Sequence, residues 1–169
     1  IKEISRDCFM PLTVGGGIKS CKDIEELLNV GADKISLNTS AYQTPLFIKE
    51  AASNFGSQCI VISVDVVKID QKYHLYSNNG VLTGVSVTDW IAKAQDLGAG
   101  EILINDVSKD GTMSGFDVVL AEMLTNLLEI PLIYAGGISN PINAVDLVKV
   151  SNADAVGISS IFHFTDFTP

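Results

Sequence analysis

Two carboxylates and two glycine turns carry the chemistry legible in these 169 residues. Asp65 closes the run Cys59-Ile60-Val61-Ile62-Ser63-Val64, which has the near-continuous apolar character of a parallel strand covered on both faces. Parallel α/β folds assemble their sites at the C-terminal ends of such strands, so a lone carboxylate there is a candidate general acid or base. The plainer reading is that it caps the next turn. Asp110, within Lys109-Asp110-Gly111-Thr112, belongs to a loop at the same strand end. A pair of carboxylates can divide acid and base duties, while an Asp-Gly pair is also an ordinary turn, so Asp110 is expected at least to line the site.

The glycines point to a different task. Pro11-Leu12-Thr13-Val14-Gly15-Gly16-Gly17-Ile18-Lys19-Ser20 runs from an apolar strand through a tight turn into a Ser-x-x-Asp helix start, with Asp23 completing it. A second copy is Pro131-Leu132-Ile133-Tyr134-Ala135-Gly136-Gly137-Ile138-Ser139-Asn140. One strand after each turn comes a small polar cluster, Asn38-Thr39 in the first case and Ser159-Ser160 in the second. Bare amides at Gly16, Gly17, Gly136 and Gly137 suit phosphate, and two such turns imply a substrate with two anionic ends.

The elements that must position these groups alternate regularly. Residues Ile1 to Cys8 look like the tail of a helix. Strands are expected at about Met10–Val14, Lys34–Asn38, Gln58–Val66, Glu101–Asn105, Pro131–Ala135 and Ala155–Ser159. Helices are expected from Cys21 to Val30, from the Thr44 cap and Pro45 to Phe55, and over Val87–Leu97, Phe116–Leu128 and Pro141–Val150, the last capped by Asn140. Between Lys68 and Gly84 the rhythm breaks, and Tyr73-His74-Leu75-Tyr76 followed by Ser77-Asn78-Asn79-Gly80 reads as a hairpin or flap.

Composition narrows the function. A net charge of −9 with no basic cluster argues against nucleic acid. The longest apolar run, Cys59 to Val64, is too short to span a bilayer, and the start resembles no signal peptide, so a membrane is not expected. Three cysteines, Cys8, Cys21 and Cys59, show neither disulfide nor zinc spacing and fit reduced thiols in the cytoplasm. No metal or cofactor is expected: P-loop, GxGxxG, HExxH and nucleophile-elbow patterns are lacking, and His74 and His163 are isolated.

The two glycine turns belong to an internal repeat. Aligning Gly16-Gly17-Ile18 with Gly136-Gly137-Ile138 brings Asp33 within one residue of Asp154, so the first two parallel strands match the last two. A four-strand period in a βα series is that of an eightfold barrel built from two halves, which needs about 250 residues. The expectation is an α/β chain, a (βα)8 TIM barrel truncated to about six units and forming one partial domain over residues 1–169, its first two units absent.

The strings FMPLTVGGGIKS, GADKISLNTSA, FGSQCIVISVDV, GAGEILINDVSKDGTMSGFD, IPLIYAGGIS and DAVGISSIFHF resemble the cyclase subunit of imidazole glycerol phosphate synthase along essentially the whole chain. That resemblance implies a barrel that takes ammonia from a glutamine amidotransferase partner, forming a heterodimer. It converts a phosphoribulosyl formimino carboxamide ribonucleotide, which carries two phosphates, to imidazole glycerol phosphate and aminoimidazole carboxamide ribonucleotide in histidine biosynthesis. By motif, Asp65 corresponds to a catalytic aspartate of the family. Gly17, Asn38 and Thr39 correspond to one phosphate site, and Gly111, Gly137, Ser159 and Ser160 to the other. Asp33 and Lys34 match an acidic and basic pair at the ammonia entrance and partner interface, whereas their plainer reading is a surface ion pair. Thr13 would line the ammonia route.

The departures matter as well. The family's other catalytic aspartate lies on a strand this sequence lacks, so the segment alone is expected to be inactive, and Ser108 stands where the family commonly has Asp. The approach Cys8-Phe9-Met10-Pro11-Leu12 also resembles a paralogous branch associated with surface-polysaccharide sugar amidation. The alternatives are that paralogue, a non-catalytic barrel fragment, and a phosphate-sugar isomerase on the same repeat.

Overall fold

The computed structural model describes residues 1–77, 80–82, 84–125 and 127–163, so the expected Asn78-Asn79 turn lies outside the described residues. The chain divides into two compact units, Ile1–Ser63 with Lys93–Ile102, and Val64–Ala92 with the chain from Leu103 onward.

The first unit opens with helix α1 (Lys2–Asp7), then β1 (Thr13–Gly15), α2 (Cys21–Asn29), β2 (Lys34–Leu37), α3 (Thr39–Gln43), α4 (Leu46–Phe55), a 3-10 turn (Ser57–Cys59) and the start of β3 (Ile60–Ile69). β1 pairs parallel with β2, Val14 opposite Ile35, and β2 pairs parallel with β3, Ile35 opposite Ile60. Ser20 and Asp23 form a complete capping box that starts α2. Ile24, Ile35, Ala41, Ile48, Ala51, Ile60 and Ile62 are fully buried, and α2 packs on β2 and α4 to make this core.

The second unit contains the rest of β3, which turns back antiparallel into β4 (Lys72–Ser77), itself paired with β5 (Gly80–Leu82). α5 (Val87–Asp96) and β6 (Glu101–Asp106) follow, with Lys93–Ile102 belonging to the first unit, and then come α6 (Val118–Leu124), β7 (Leu132–Ala135), α7 (Pro141–Ser151), β8 (Ala155–Gly157) and α8 (Ser160–His163). Here the strand order is β3-β6-β7-β8, with β7 and β8 parallel. Asn140 caps α7 by accepting from the Asn143 N–H, with Pro141 in the first turn. Val64, Val66, Leu75, Ile104, Leu120, Tyr134 and Leu147 are buried. Six strands in the order β1-β2-β3-β6-β7-β8, alternating with helices apart from the β4–β5 hairpin after β3, make this a (βα)8-type chain with six βα units.

Several boundaries differ from expectation for identifiable reasons. β1 begins at Thr13 rather than Met10, because Pro11 has no N–H and the Leu12 N–H donates to the Asp33 carboxylate. The Thr44 cap is replaced by α3, whose end binds the Thr44 N–H through Ser40 O, and Pro45 caps α4 without a side-chain bond. Gln58 sits in the 3-10 turn, and β3 continues to Ile69 because β4 pairs with it. The hairpin turn is therefore Asp70-Gln71, with φ values of 47° and 64°, the two positive φ angles of a type I′ turn. The helix expected over Phe116–Leu128 spans only Val118–Leu124, because Asp117 caps it and the chain becomes extended at Thr125.

Candidate functional site

Strand alternation places the carboxylates. Along β3 Val64 and Val66 are buried on one face, which leaves Asp65 half-buried on the other. Asn105 of β6 shares that face and donates from Nδ2 to Asp65 Oδ1 at 3.1 Å. The next residue, Asp106, points the opposite way and is 2% exposed. Its Oδ1 accepts from the Ser108 N–H at 3.0 Å, and Oδ2 lies 3.5 Å from the hydroxyl of the fully buried Tyr134. Burial, and then the charge of Asp117, push the Asp106 carboxyl above its ordinary value, and burial followed by Asp106 raises the Tyr134 phenol. Sequence reasoning missed Asn105 and Asp106; their signal is a polar pair ending the apolar run Ile102-Leu103-Ile104.

The loop after β6 starts at Asp106, whose carbonyl accepts from the Lys109 and Asp110 N–H groups at 3.0 and 2.9 Å. Asp110 and Gly111 are exposed, and Gly111 has φ 74°. The far side of the loop folds over the second glycine turn: the Gly115 N–H donates to Gly137 O at 2.8 Å, and a Cβ on Gly137 would collide with Gly115 O. Gly115 and Lys109 of the loop thus close over Gly137.

The two glycine turns have nearly the same backbone. Gly16 and Gly17 have φ 107° and 70°, Gly136 and Gly137 φ 110° and 81°. Each is preceded by a tight strand-end pair, Gly15 opposite Ser36 and Ala135 opposite Gly157. In both, a Cβ on the glycine would stand 2.9 Å from its partner's Cβ, so one member must be glycine. Asn38 and Thr39 follow Ser36 as Ser159 and Ser160 follow Gly157, Thr39 opening α3 and Ser160 opening α8. The amides just past the turns are taken up by helix caps: Asp23 Oδ2 accepts from the Lys19 and Ser20 N–H groups, and Asn143 Oδ1 from that of Ser139.

At the opposite strand ends Thr13 is the register partner of Lys34. The expected Asp33–Lys34 surface ion pair does not describe their bonding. Lys34 Nζ pairs with Glu101, both side chains largely buried, while Asp33 Oδ2 accepts from the Leu12 N–H at 2.7 Å. Glu101, at the start of β6, was not anticipated, because nothing local in the sequence ties it to a lysine 67 residues away.

A sequence profile described as histidine biosynthesis protein matches residues 1–168. The chain belongs to that family. Two relatives, both called imidazole glycerol phosphate synthase subunit HisF, from the Ames and the ATCC 23582/Paris strains of Leptospira biflexa serovar Patoc, are each 44% identical over 171 residues. The match covers 99% of this chain and 67% of each relative.

In this histidine biosynthesis family member the strand ends are chemically divided. In the first unit the C-terminal strand ends carry the Gly16-Gly17 turn and Asn38-Thr39; in the second they carry the half-buried Asp65 carboxylate oriented by Asn105, the Gly136-Gly137 turn and Ser159-Ser160. The N-terminal ends hold the Lys34–Glu101 pair beside Thr13. The C-terminal set can move protons and hold anions; the N-terminal set presents charge at the strand starts. Among the described residues no helix is long and apolar enough to cross a membrane.

Proposed function

We propose that the chain is the cyclase subunit of an imidazole glycerol phosphate synthase, acting in the cytoplasm as part of a single barrel domain. The observation that carries this is the 44% identity to synthase subunits over 99% of the chain. Ammonia from a glutamine amidotransferase partner enters at the strand starts near Thr13, Asp33 and Lys34. It reacts with the phosphoribulosyl formimino carboxamide ribonucleotide, and the products are imidazole glycerol phosphate and aminoimidazole carboxamide ribonucleotide.

Asp65 is the residue that moves protons as the added nitrogen closes the ring, and the Asn105 amide at 3.1 Å keeps its carboxylate oriented. Asp110 lines the site from the loop after β6. One substrate phosphate is held by Gly16, Gly17, Asn38 and Thr39, the other by Gly111, Gly136, Gly137, Ser159 and Ser160. The close cover of Gly137 by Gly115 supports the second set as a preformed cradle.

The test is turnover by the full-length natural protein, with both products identified by chromatography, first with ammonium and then with glutamine and the partner subunit. Formation of both products with ammonium is expected. A folded full-length protein that binds the bisphosphate yet forms neither product would overturn the assignment.

A further inference from the structure

Lys68 stands directly opposite Tyr73 across the β3–β4 hairpin, and its ammonium lies 5.0 Å from the centre of the Tyr73 ring. Both side chains converge on one carboxylate. Asp117 Oδ2 accepts from Lys68 Nζ at 2.9 Å and Oδ1 from the Tyr73 hydroxyl at 2.8 Å. Oδ1 also accepts from the Leu120 N–H at 3.1 Å, the bond that caps α6. Asp117 is 9% exposed, and although burial alone would raise its carboxyl, these bonds outweigh it and hold the group below its ordinary value.

The backbone of Lys68 takes hold of the other end of the same loop, its N–H donating to Ser108 Oγ at 2.9 Å. Ser108 in turn donates its own N–H to Asp106. One residue thus grips the loop between Asp106 and Asp117 near both ends, and between those grips lie Asp110, Gly111 and the Gly115 bond over Gly137. Lys68, Tyr73 and Asp117 have no part in the chemistry proposed above, and burying the Asp117 carboxylate against a half-buried lysine costs more than capping a seven-residue helix requires.

We propose that Lys68 and Tyr73, acting through Asp117, are positioning residues that pre-order the Asp106–Asp117 loop for a phosphate group of the substrate. The inference rests on the function proposed above and adds to it the element that sets phosphate affinity. An ordered loop has already lost the freedom that binding would otherwise remove, so loosening it weakens capture of the phosphate and leaves the proton transfer at Asp65 largely unchanged.

The experiment uses the full-length protein and the variants Lys68→Met, Lys68→Arg and Tyr73→Phe, with KM and kcat measured using ammonium and binding of inorganic phosphate measured by calorimetry. Lys68→Met is expected to raise KM by about tenfold to 100-fold with little change in kcat. Tyr73→Phe should do the same to a smaller extent, and Lys68→Arg should restore most of the affinity. Should Lys68→Met fail to fold, Tyr73→Phe, which keeps the ion pair, supplies the same comparison. A fall in kcat at unchanged KM, or a loss of thermal stability with KM and phosphate binding unchanged, overturns the proposal. A wild-type protein that lacks turnover but loses phosphate affinity on Lys68→Met sinks the cyclase reading and leaves the clamp standing.

Discussion

Asp33 and Asp154 make the same closed pair of bonds in the two halves of the internal repeat. Asp33 Oδ2 accepts from the Leu12 N–H at 2.7 Å and the Asp33 N–H returns to Leu12 O at 2.8 Å; Asp154 Oδ2 accepts from the Leu132 N–H at 2.9 Å and its N–H returns to Leu132 O at 2.9 Å. Each aspartate fastens the start of its own strand to the start of the preceding one. That equivalence separates a structural duty, shared by both residues, from any duty specific to Asp33.

Asp33→Ala and Asp154→Ala should each lower stability by about 0.5–1.5 kcal/mol in urea unfolding, the net worth of one typical hydrogen bond. The charge reversals divide the roles. Asp33→Lys in the full-length protein should reduce glutamine-dependent turnover relative to ammonium-dependent turnover, whereas Asp154→Lys, which loses the same clamp, should leave that ratio unchanged. A ratio altered equally by both substitutions rules out partner docking at Asp33.

Asp65→Asn should lower kcat with ammonium by about 100- to 10,000-fold, the usual contribution of a positioned acid or base. Binding of the bisphosphate should stay close to wild type, since in the proposed mode the phosphates sit at the glycine turns and not at Asp65. Near-normal turnover in this variant would move proton transfer to another group.

Gly157→Ala should cost about 1–3 kcal/mol, because the new methyl group meets the Ala135 Cβ at a separation that forces backbone movement. The first repeat shows the remedy, since there the glycine stands on the other strand of the pair. Ala135→Gly combined with Gly157→Ala should recover most of the loss, and additive destabilisation in that double-mutant cycle would disprove the direct clash.

Asp106 makes stability depend on pH in the direction opposite to Asp117. With its carboxyl raised by burial and by Asp117, the folded chain keeps a proton at Asp106 that the unfolded chain releases above about pH 3.9, so this group's contribution falls as pH rises from there through the raised folded value. Asp117, held low, adds stability above about pH 3.9 that is lost as pH falls through its folded value. Urea unfolding across this range should show a shallower decline with rising pH for Asp106→Asn than for wild type. An unchanged slope would mean that Asp106 does not titrate in the window.

Features that depend on near neighbours along the chain are legible in the residues alone. The Ser20-x-x-Asp23 box and the Asn140-Pro141 start specify helix ends through bonds spanning three residues, and the glycines at 16, 17, 136 and 137 announce backbone that side chains resist. The repeat marks Asp33 and Asp154 as counterparts, and Asp65 is the one charge at the end of an apolar strand. Only the tertiary structure decided the partners and the faces. Alternation says that Asn105 and Asp106 point opposite ways, but which of them meets Asp65 and which is buried against Tyr134 depends on the strands placed alongside. The Asp70-Gln71 turn carries no glycine and was invisible until β4 paired with β3, which also set Lys68 against Tyr73. The pairing of Lys34 with Glu101 and of Lys68 with Asp117 likewise joins residues far apart in sequence, because a charge buried by folding takes whatever opposite charge the fold delivers to it.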